Sequence, residues 1–256
     1  MASLPVFIGR TWRDGVKNMD ENQTFPMLHL PDDRLKTAAS LVRPGGVTVD
    51  VGTDHGYIPI WLLQQGICPF AVASVINRGP LDRARENGIR YGVADRLALY
   101  LCDGLDGVEP EKNGITDVCI CGMGGELIGA IVTRSVYVKE KKCSLILQPM
   151  SSGYELRKTL LADGFAIREE RLCQAAGRVY SCIRAEYAPE YAGEEADMYT
   201  EGQLLVGRET DRCDPLFPLW IERHRKALEK QIRGREAGGL DTAYERALLT
   251  ELERMV

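Results

Sequence analysis

The sequence predicts an α/β fold: a mainly parallel sheet covered by helices on both faces, followed by a C-terminal α-helical hairpin of coiled-coil character. Three observations predict it. Short apolar runs recur between residues 47 and 149, each followed by an amphipathic stretch. Strands that alternate with helices pair in parallel, because each crossover returns the chain to the same edge of the sheet. Beyond residue 214, two amphipathic segments flank the pair Gly238–Gly239, the pattern of two antiparallel helices.

The elements follow in order. "RLKTAASLV" (34–42) reads as a helix ahead of the first strand. "VTVDVG" (47–52), "FAVASVI" (70–76), "LALYLC" (97–102), "DVCICG" (117–122) and "SLILQP" (144–149) read as buried strands. "YIPIWLLQQG" (57–66), "GPLDRARENGIRYG" (79–92) and "GGELIGAIVTR" (124–134) read as the helices between them, and "GYELRKTLLADG" (153–164) as one more. "FAIREERLC" and "RVYSCIRAEY" complete the sheet, with antiparallel pairing an option. "APEYAGEEADMYTEG" is acidic and weakly apolar and reads as a linker. In the hairpin, Leu219, Ile221, Leu228 and Ile232 form one apolar stripe, and Leu248, Leu249, Leu252 and Met255 the other. Asp214 and Asp241 are the expected N-caps. Residues 1–26 are polar and aperiodic and read as an extension. The expected division is therefore 1–26, a sheet domain over 27–190, and a helical domain over 197–256.

Composition narrows the class. Of 256 residues, 45% are hydrophobic and 27% charged, as in ordinary globular proteins. No run of about 18 apolar residues occurs, so no membrane span is expected. The N-terminus lacks a basic segment followed by an apolar core, so no signal peptide is expected. The eight cysteines include no CxxC pair and read as reduced thiols of a cytoplasmic protein, with no metal site. A net charge of −5 argues against nucleic acid as a whole-surface partner, but the distribution of charge matters more than its sum.

Chemistry is expected where the strands end, since open parallel sheets bind ligands beyond their carboxyl edges. After the first strand comes "DVGTDHGY". Gly52 and Gly56 let the backbone bend and approach a ligand. They match the outer glycines of the DxGxGxG nucleotide loop found in methyltransferases, and Asp54 replaces the middle one. A carboxylate there repels phosphate and suits a sulfonium or an amine. Asp50 precedes the loop. The second strand ends in Ile76 and Asn77, with no acid for a ribose; Asn77 offers an amide instead. The third ends in Asp103-Gly104, a carboxylate placed to accept from an adenine amine. The fourth ends in Gly122, Met123, Gly124 and Gly125, a sign of close backbone approach. The fifth ends in Gln148-Pro149, an amide at the rim. Together these ends predict an adenine-containing cofactor.

At this level of detail the chain resembles the bacterial tRNA adenine-N1 methyltransferases that modify adenine 22. The resemblance rests on "VDVGTDHGYIPIWL", "GPLDRAREN", "DGL", "CGMGGELI" and "LILQP", in that order. It implies a Rossmann-like methyltransferase domain with a coiled-coil hairpin, S-adenosylmethionine (S-adenosyl-L-methionine) as donor, tRNA as substrate, and no metal. Asp50, Gly52, Asp54 and His55 match the family's first motif, Asp103 and Gly104 its adenine-contacting motif, and Gly122, Met123, Gly124 and Gly125 its fourth-strand loop. The chain departs from the family where Val75 replaces an acid, where Met150 replaces an asparagine, and where "QAAGRVY" replaces an acid-Gly-Lys run.

The implied reaction assigns roles. Asp54 faces the exocyclic amine of the target adenine and stabilises the cationic product, and His55 and Tyr57 position it. The base is extruded from the RNA, with Tyr57 or Tyr91 as stacking candidates. Phosphates fall to Arg223, Arg225, Lys226 and Lys230 of the hairpin, with residues 138–142, Arg157–Lys158, Arg83, Arg85 and Arg90 as further cations. Three other readings are weighed against this one: a methyltransferase acting on a small molecule, a non-catalytic binder that kept the fold, and a dinucleotide oxidoreductase. The last ranks lowest because GxGxxG is missing.

Overall fold

The computed structural model describes residues 24–109, 113–191, 198–208 and 210–255. Most of the expected 1–26 extension lies outside them. Where the described chain begins, it is already packed. The Gln64 side chain donates to the Pro26 carbonyl and accepts from the Leu28 amide, and Leu28 and Leu30 are buried.

The order is α1 (Asp33–Ser40), β1 (Val47–Val51), α2 (Tyr57–Gln64), β2 (Ala71–Val75), α3 (Arg78–Arg90), β3 (Leu97–Leu101), β4 (Ile115–Gly124), α4 (Gly125–Arg134), α5 (Val136–Glu140), β5 (Ser144–Ser151), α6 (Gly153–Ala162), β6 (Phe165–Ala175), β7 (Arg178–Tyr187), α7 (Glu201–Val206), α8 (Phe217–Ala237) and α9 (Ala243–Glu253). All seven expected strands are present. They form one sheet in the order β3-β2-β1-β4-β5-β7-β6. The first five pair in parallel, and β7 runs antiparallel to both β5 and β6. The order reverses between β1 and β4, which opens a crevice at their carboxyl ends.

The parallel strands read as continuous apolar runs because both faces are covered. On one face Val49, Val72, Val118 and Leu145 pack with Ile128 and Ile131 of α4 and Leu156 and Leu160 of α6. On the other, α1, α2 and α3 bury Ala38, Leu62, Leu81 and Ala84. The hairpin shares its core with the sheet: Leu172 of β6 and Val179 of β7 join Trp220, Ile221, Leu228, Leu248 and Leu252.

Several expectations need correction. Leu219 is 52% exposed, and Trp220 takes its place in the stripe with Ile221, Leu228 and Ile232. Positions 219 and 221 lie too far apart around a helix to share a narrow face. Asp214 and Asp241 do not occupy the N-cap positions. Each carboxylate accepts from the amide two residues on, Leu216 at 2.7 Å and Ala243 at 3.2 Å, in a turn just before its helix. The stretch read as a linker runs into α7 at Glu201 and Gly202, and Thr200 caps that helix in a reciprocal capping box with Gln203. A helix of this length shows too few turns for periodicity to reveal it. The eight cysteines are free thiols, six of them buried.

β6 and β7 are joined by the two residues Ala176 and Gly177, with φ of +48° and +73°. Two-residue turns of this hand fit the twist of the strands but favour Asn or Asp at the first position, where alanine pays a steric cost of about 1 kcal/mol. Ala176→Asn is therefore expected to stabilise the protein by about 1 kcal/mol, raising Tm by about 2–4 °C in a thermal scan. An unchanged or lower Tm contradicts this account of the turn.

Candidate active site

The crevice between β1 and β4 holds a cleft of about 300 Å³, lined by Arg34 and Leu35 of α1, by Asp50 to His55 of the first loop excepting Val51, by Tyr57 and Ile58 of α2, and by Cys121 and Gly122 of β4. Gly52 takes φ +75° at the strand end, and a Cβ there would lie 1.9 Å from Met123 Cε. The missing side chain thus lets Met123 lie across the floor beside the cleft. On the opposite wall, Gly122 takes φ +78°, and its amide donates to Gln148 Oε1 at 3.2 Å. Gln148 is fully buried, and its amide nitrogen donates to the Pro149 carbonyl at 2.9 Å. It braces the β4 loop from within and is not the free rim amide expected from the sequence.

Asp50 is 4% exposed. Burial pushes its carboxyl up to about 7, partly offset by a hydrogen bond from Thr53. The folded protein holds this proton up to about pH 7, whereas the unfolded chain releases it near its ordinary value, so this group makes stability fall as pH rises between the two. Asp50→Asn is expected to raise Tm relative to the parent at pH 8, with the gap narrowing at pH 5. A gap independent of pH contradicts the assignment.

Asp54 lies at the mouth. Its Oδ1 accepts from Arg83 of α3, and its Oδ2 lies 3.2 Å from His55 Nε2. The Arg83 guanidinium holds its carboxyl below the usual range. The His55 ring stacks on Tyr57 with centroids 4.9 Å apart and planes 9° from parallel. Asp54, His55 and Tyr57 thus form one preassembled edge, with the His55 ring beside its neighbour's carboxylate. Tyr91 ends α3, at the edge of the sheet away from the cleft, and packs into the core beside α3. It is not a stacking platform.

The remaining expected cofactor residues are not among those lining the cleft. Gly56 starts α2, where a Cβ would lie 3.2 Å from Ile60 and 3.3 Å from Ala84, so its bareness serves helix packing. Ile76 is 66% exposed at the end of β2, and the Asn77 side chain makes no capping bond. Val75 is buried in the core, so this strand end carries no acid. Asp103 pairs with Arg134 at 3.3 Å, and the Gly104 carbonyl accepts from Ser74 Oγ at 2.7 Å, tying β3 to β2. Gly124 is the N-cap of α4. At Gly125 a Cβ would lie 2.1 Å from the Ser152 carbonyl, so only glycine lets the loop after β5 pass.

Sequence reasoning missed Arg34. It is the only Lys or Arg lining the cleft among the described residues. Asp32 holds its Nη2 at 2.6 Å, its Nη1 donates to Met150 Sδ at 2.9 Å, and its guanidinium lies over the Tyr180 ring, 5.4 Å from the centroid. Burial pushes the Cys121 thiol well above its usual range, so it lines the cleft as a neutral group.

On the hairpin, Arg223, Lys226, Lys230 and Arg233 recur along one face of α8. Arg225 is turned away from them and held between Glu222, at 2.7 Å, and Glu229. Lys226 also reaches Glu222, at 3.2 Å, but remains exposed. Arg157, expected as an RNA contact, is fully buried and paired with Glu170 at 2.7 Å. Among the described residues, no helix is long and apolar enough to cross a membrane, and no group of three His, Cys, Asp or Glu side chains is placed to hold a metal.

A sheet in this order, with a glycine-bent loop bearing Asp50 and Asp54 at its β1–β4 crevice, defines a Rossmann-like methyltransferase fold, the fold class expected from the sequence. Residues 31–183 match the family described as "Methyltransferase domain", and the chain belongs to that family. The tRNA (adenine(22)-N(1))-methyltransferase of Bacillus subtilis is 29% identical over 223 residues, covering 86% of this chain and 91% of that protein. A putative tRNA (m1A22) methyltransferase of Streptococcus pneumoniae, solved in complex with S-adenosyl-L-methionine, is 26% identical with a TM-score of 0.75, covering 87% and 99% of the two chains. A protein of the NADB-Rossmann superfamily from Streptococcus agalactiae is 27% identical with a TM-score of 0.77, covering 89% and 97%. The family resemblance read from the motifs is borne out.

Proposed function

We propose that this protein is an S-adenosylmethionine-dependent methyltransferase that methylates N1 of adenine 22 in tRNA. The observation that carries the reading is the polar lining of the cleft: the ionised carboxylate of Asp54, the buried carboxyl of Asp50, the guanidinium of Arg34 and the glycine backbone of Gly52 and Gly122. That arrangement fits a ligand with an ammonium, a sulfonium and a carboxylate. When bound, S-adenosylmethionine supplies an electrophilic methyl group. Arg34 holds its carboxylate, Asp50 accepts from its polar hydrogens, and Gly52 and Gly122 give it room. Ile76 and Asn77 would hold its ribose and adenine, and Asp103 would accept from the adenine amine. Gly104, Met123 and Gly124 shape the flanks, and Gly56 sets the bend. No residue need deprotonate adenine N1, which carries a free lone pair. Asp54 faces the exocyclic amine and stabilises the positive charge that the base acquires, while His55 and Tyr57 hold the carboxylate and the base in line.

The division into a methyltransferase domain over 27–190 and a helical domain over 197–256 belongs to the same reading. The helical part presents Arg223, Lys226 and Lys230 to tRNA phosphates. Arg225 contributes least, because two glutamates already balance its charge.

The first test is cofactor recognition. Arg34→Gln is expected to weaken binding of S-adenosylhomocysteine about 10–30-fold in calorimetry, the loss of one charge-assisted pair. Binding of 5′-methylthioadenosine, which has no carboxylate, is expected to stay within twofold. Equal losses for both ligands contradict the assigned contact, and a wild-type protein that binds neither contradicts the reading as a whole.

A further inference from the structure

A second cavity, of about 410 Å³, lies between the loop after β5, strand β7 and the inner face of the hairpin. Arg34 and Met150 stand between it and the methyl-transfer cleft: Arg34 lines the cleft, Met150 lines the cavity, and the two side chains touch. Among the aliphatic and polar residues of its walls, which include Glu155 and Glu245, stand the rings of Tyr180, Trp220 and Tyr244. The Arg223 guanidinium lies over two of these rings, 5.7 Å from the Tyr180 centroid and 5.5 Å from that of Trp220.

The polar groups are specific as well. His224 Nδ1 lies 2.9 Å from the Trp220 carbonyl, so that nitrogen carries the proton. Burial pushes its pKa down to about 4, which keeps the ring neutral and leaves Nε2 as an acceptor. Gln231 adds an amide to the same wall. Arg223 also lines a groove of about 480 Å³ on the outer side, shared with Arg178 and Lys226.

We propose that this cavity and groove form a second nucleotide subsite, which takes an unpaired base of the RNA substrate other than the one being methylated. The base enters among the Tyr180, Trp220 and Tyr244 rings, with its exocyclic amine directed to His224 Nε2. Its phosphates lie along Arg178, Arg223 and Lys226. Aromatic rings, one neutral acceptor and an adjoining cationic groove are the chemistry of a nucleotide, and the shared Arg34–Met150 wall places that nucleotide beside the cleft. The inference rests on RNA being the substrate.

Gln231→Trp fills the cavity from an exposed position. It is expected to weaken binding of an unmodified tRNA transcript about tenfold, the scale of one lost base stack, with the Kd for S-adenosylhomocysteine unchanged within twofold. A transcript carrying 4-thiouridine in its unpaired positions, irradiated with the wild-type protein, is expected to crosslink to the segment containing Trp220 and His224. tRNA binding unchanged in Gln231→Trp, or crosslinks confined to other segments, overturns the subsite. A wild-type protein that binds S-adenosylhomocysteine but no tRNA overturns the RNA reading itself, and the subsite with it.

Discussion

Replacing Asp54 by asparagine is expected to lower kcat for methyl transfer about 10²–10³-fold, while the Kd for S-adenosylhomocysteine changes by no more than a few-fold. The reasoning starts from charge. Adenine N1 is neutral before attack and cationic after it, so a carboxylate beside the amine stabilises the product side of the reaction more than the bound base. The Arg83 guanidinium keeps that carboxylate ionised below the usual carboxylate range, so above about pH 5 Asp54 imposes no acid limb on the rate. Asparagine preserves shape and loses the charge. A kcat within threefold of the parent contradicts the role. A kcat loss matched by an equal loss of cofactor affinity moves Asp54 to the cofactor's ammonium.

The second large effect concerns Arg157. Its guanidinium donates to Glu170 Oε1 at 2.8 Å through Nε, to Ser181 Oγ at 3.3 Å, and to the carbonyls of Gly153, Leu204 and Leu205 at 3.1–3.2 Å. One buried side chain thus joins α6, β6, β7 and α7. Arg157→Met leaves Glu170 buried without its cation and is expected to cost about 3–5 kcal/mol, lowering Tm by about 10 °C. Combining it with Glu170→Leu is expected to recover most of the loss, since the pair's net worth is far smaller than the cost of breaking it. A single variant within 1 kcal/mol of the parent contradicts this picture. Because Leu204 and Leu205 lead into the hairpin, tRNA binding is expected to weaken before cofactor binding does.

The fold was legible where burial writes a pattern. Runs such as "VTVDV" and "AVASV" are mostly apolar because helices cover both faces, and the first, third and fourth strand ends were marked by a glycine or an acid. The bend holding Asp54 and His55 was legible for the same reason. What stayed hidden depends on partners far apart in sequence. Arg34 looks like any polar residue of an amphipathic helix, and only the fold brings it beside Asp50 and Met150. Arg157 sits in a "LRK" run that reads as solvated, yet Glu170, thirteen residues on, draws it inside. Gln148 looked like a rim amide because strand ends resemble rims, and only pairing with β4 shows that it is internal. Arg225 read as a phosphate contact until Glu222 and Glu229 were seen to hold it.

The central claim, that this cleft methylates N1 of adenine 22, is tested most directly with two tRNA transcripts. One carries adenine at position 22 and the other guanine, and each is incubated with the protein and S-adenosylmethionine, then digested to nucleosides for mass spectrometry. The account predicts one 1-methyladenosine per molecule of the first transcript and none in the second. Methylation of both transcripts, a different methylated nucleoside, or no product from protein that binds the cofactor would contradict it.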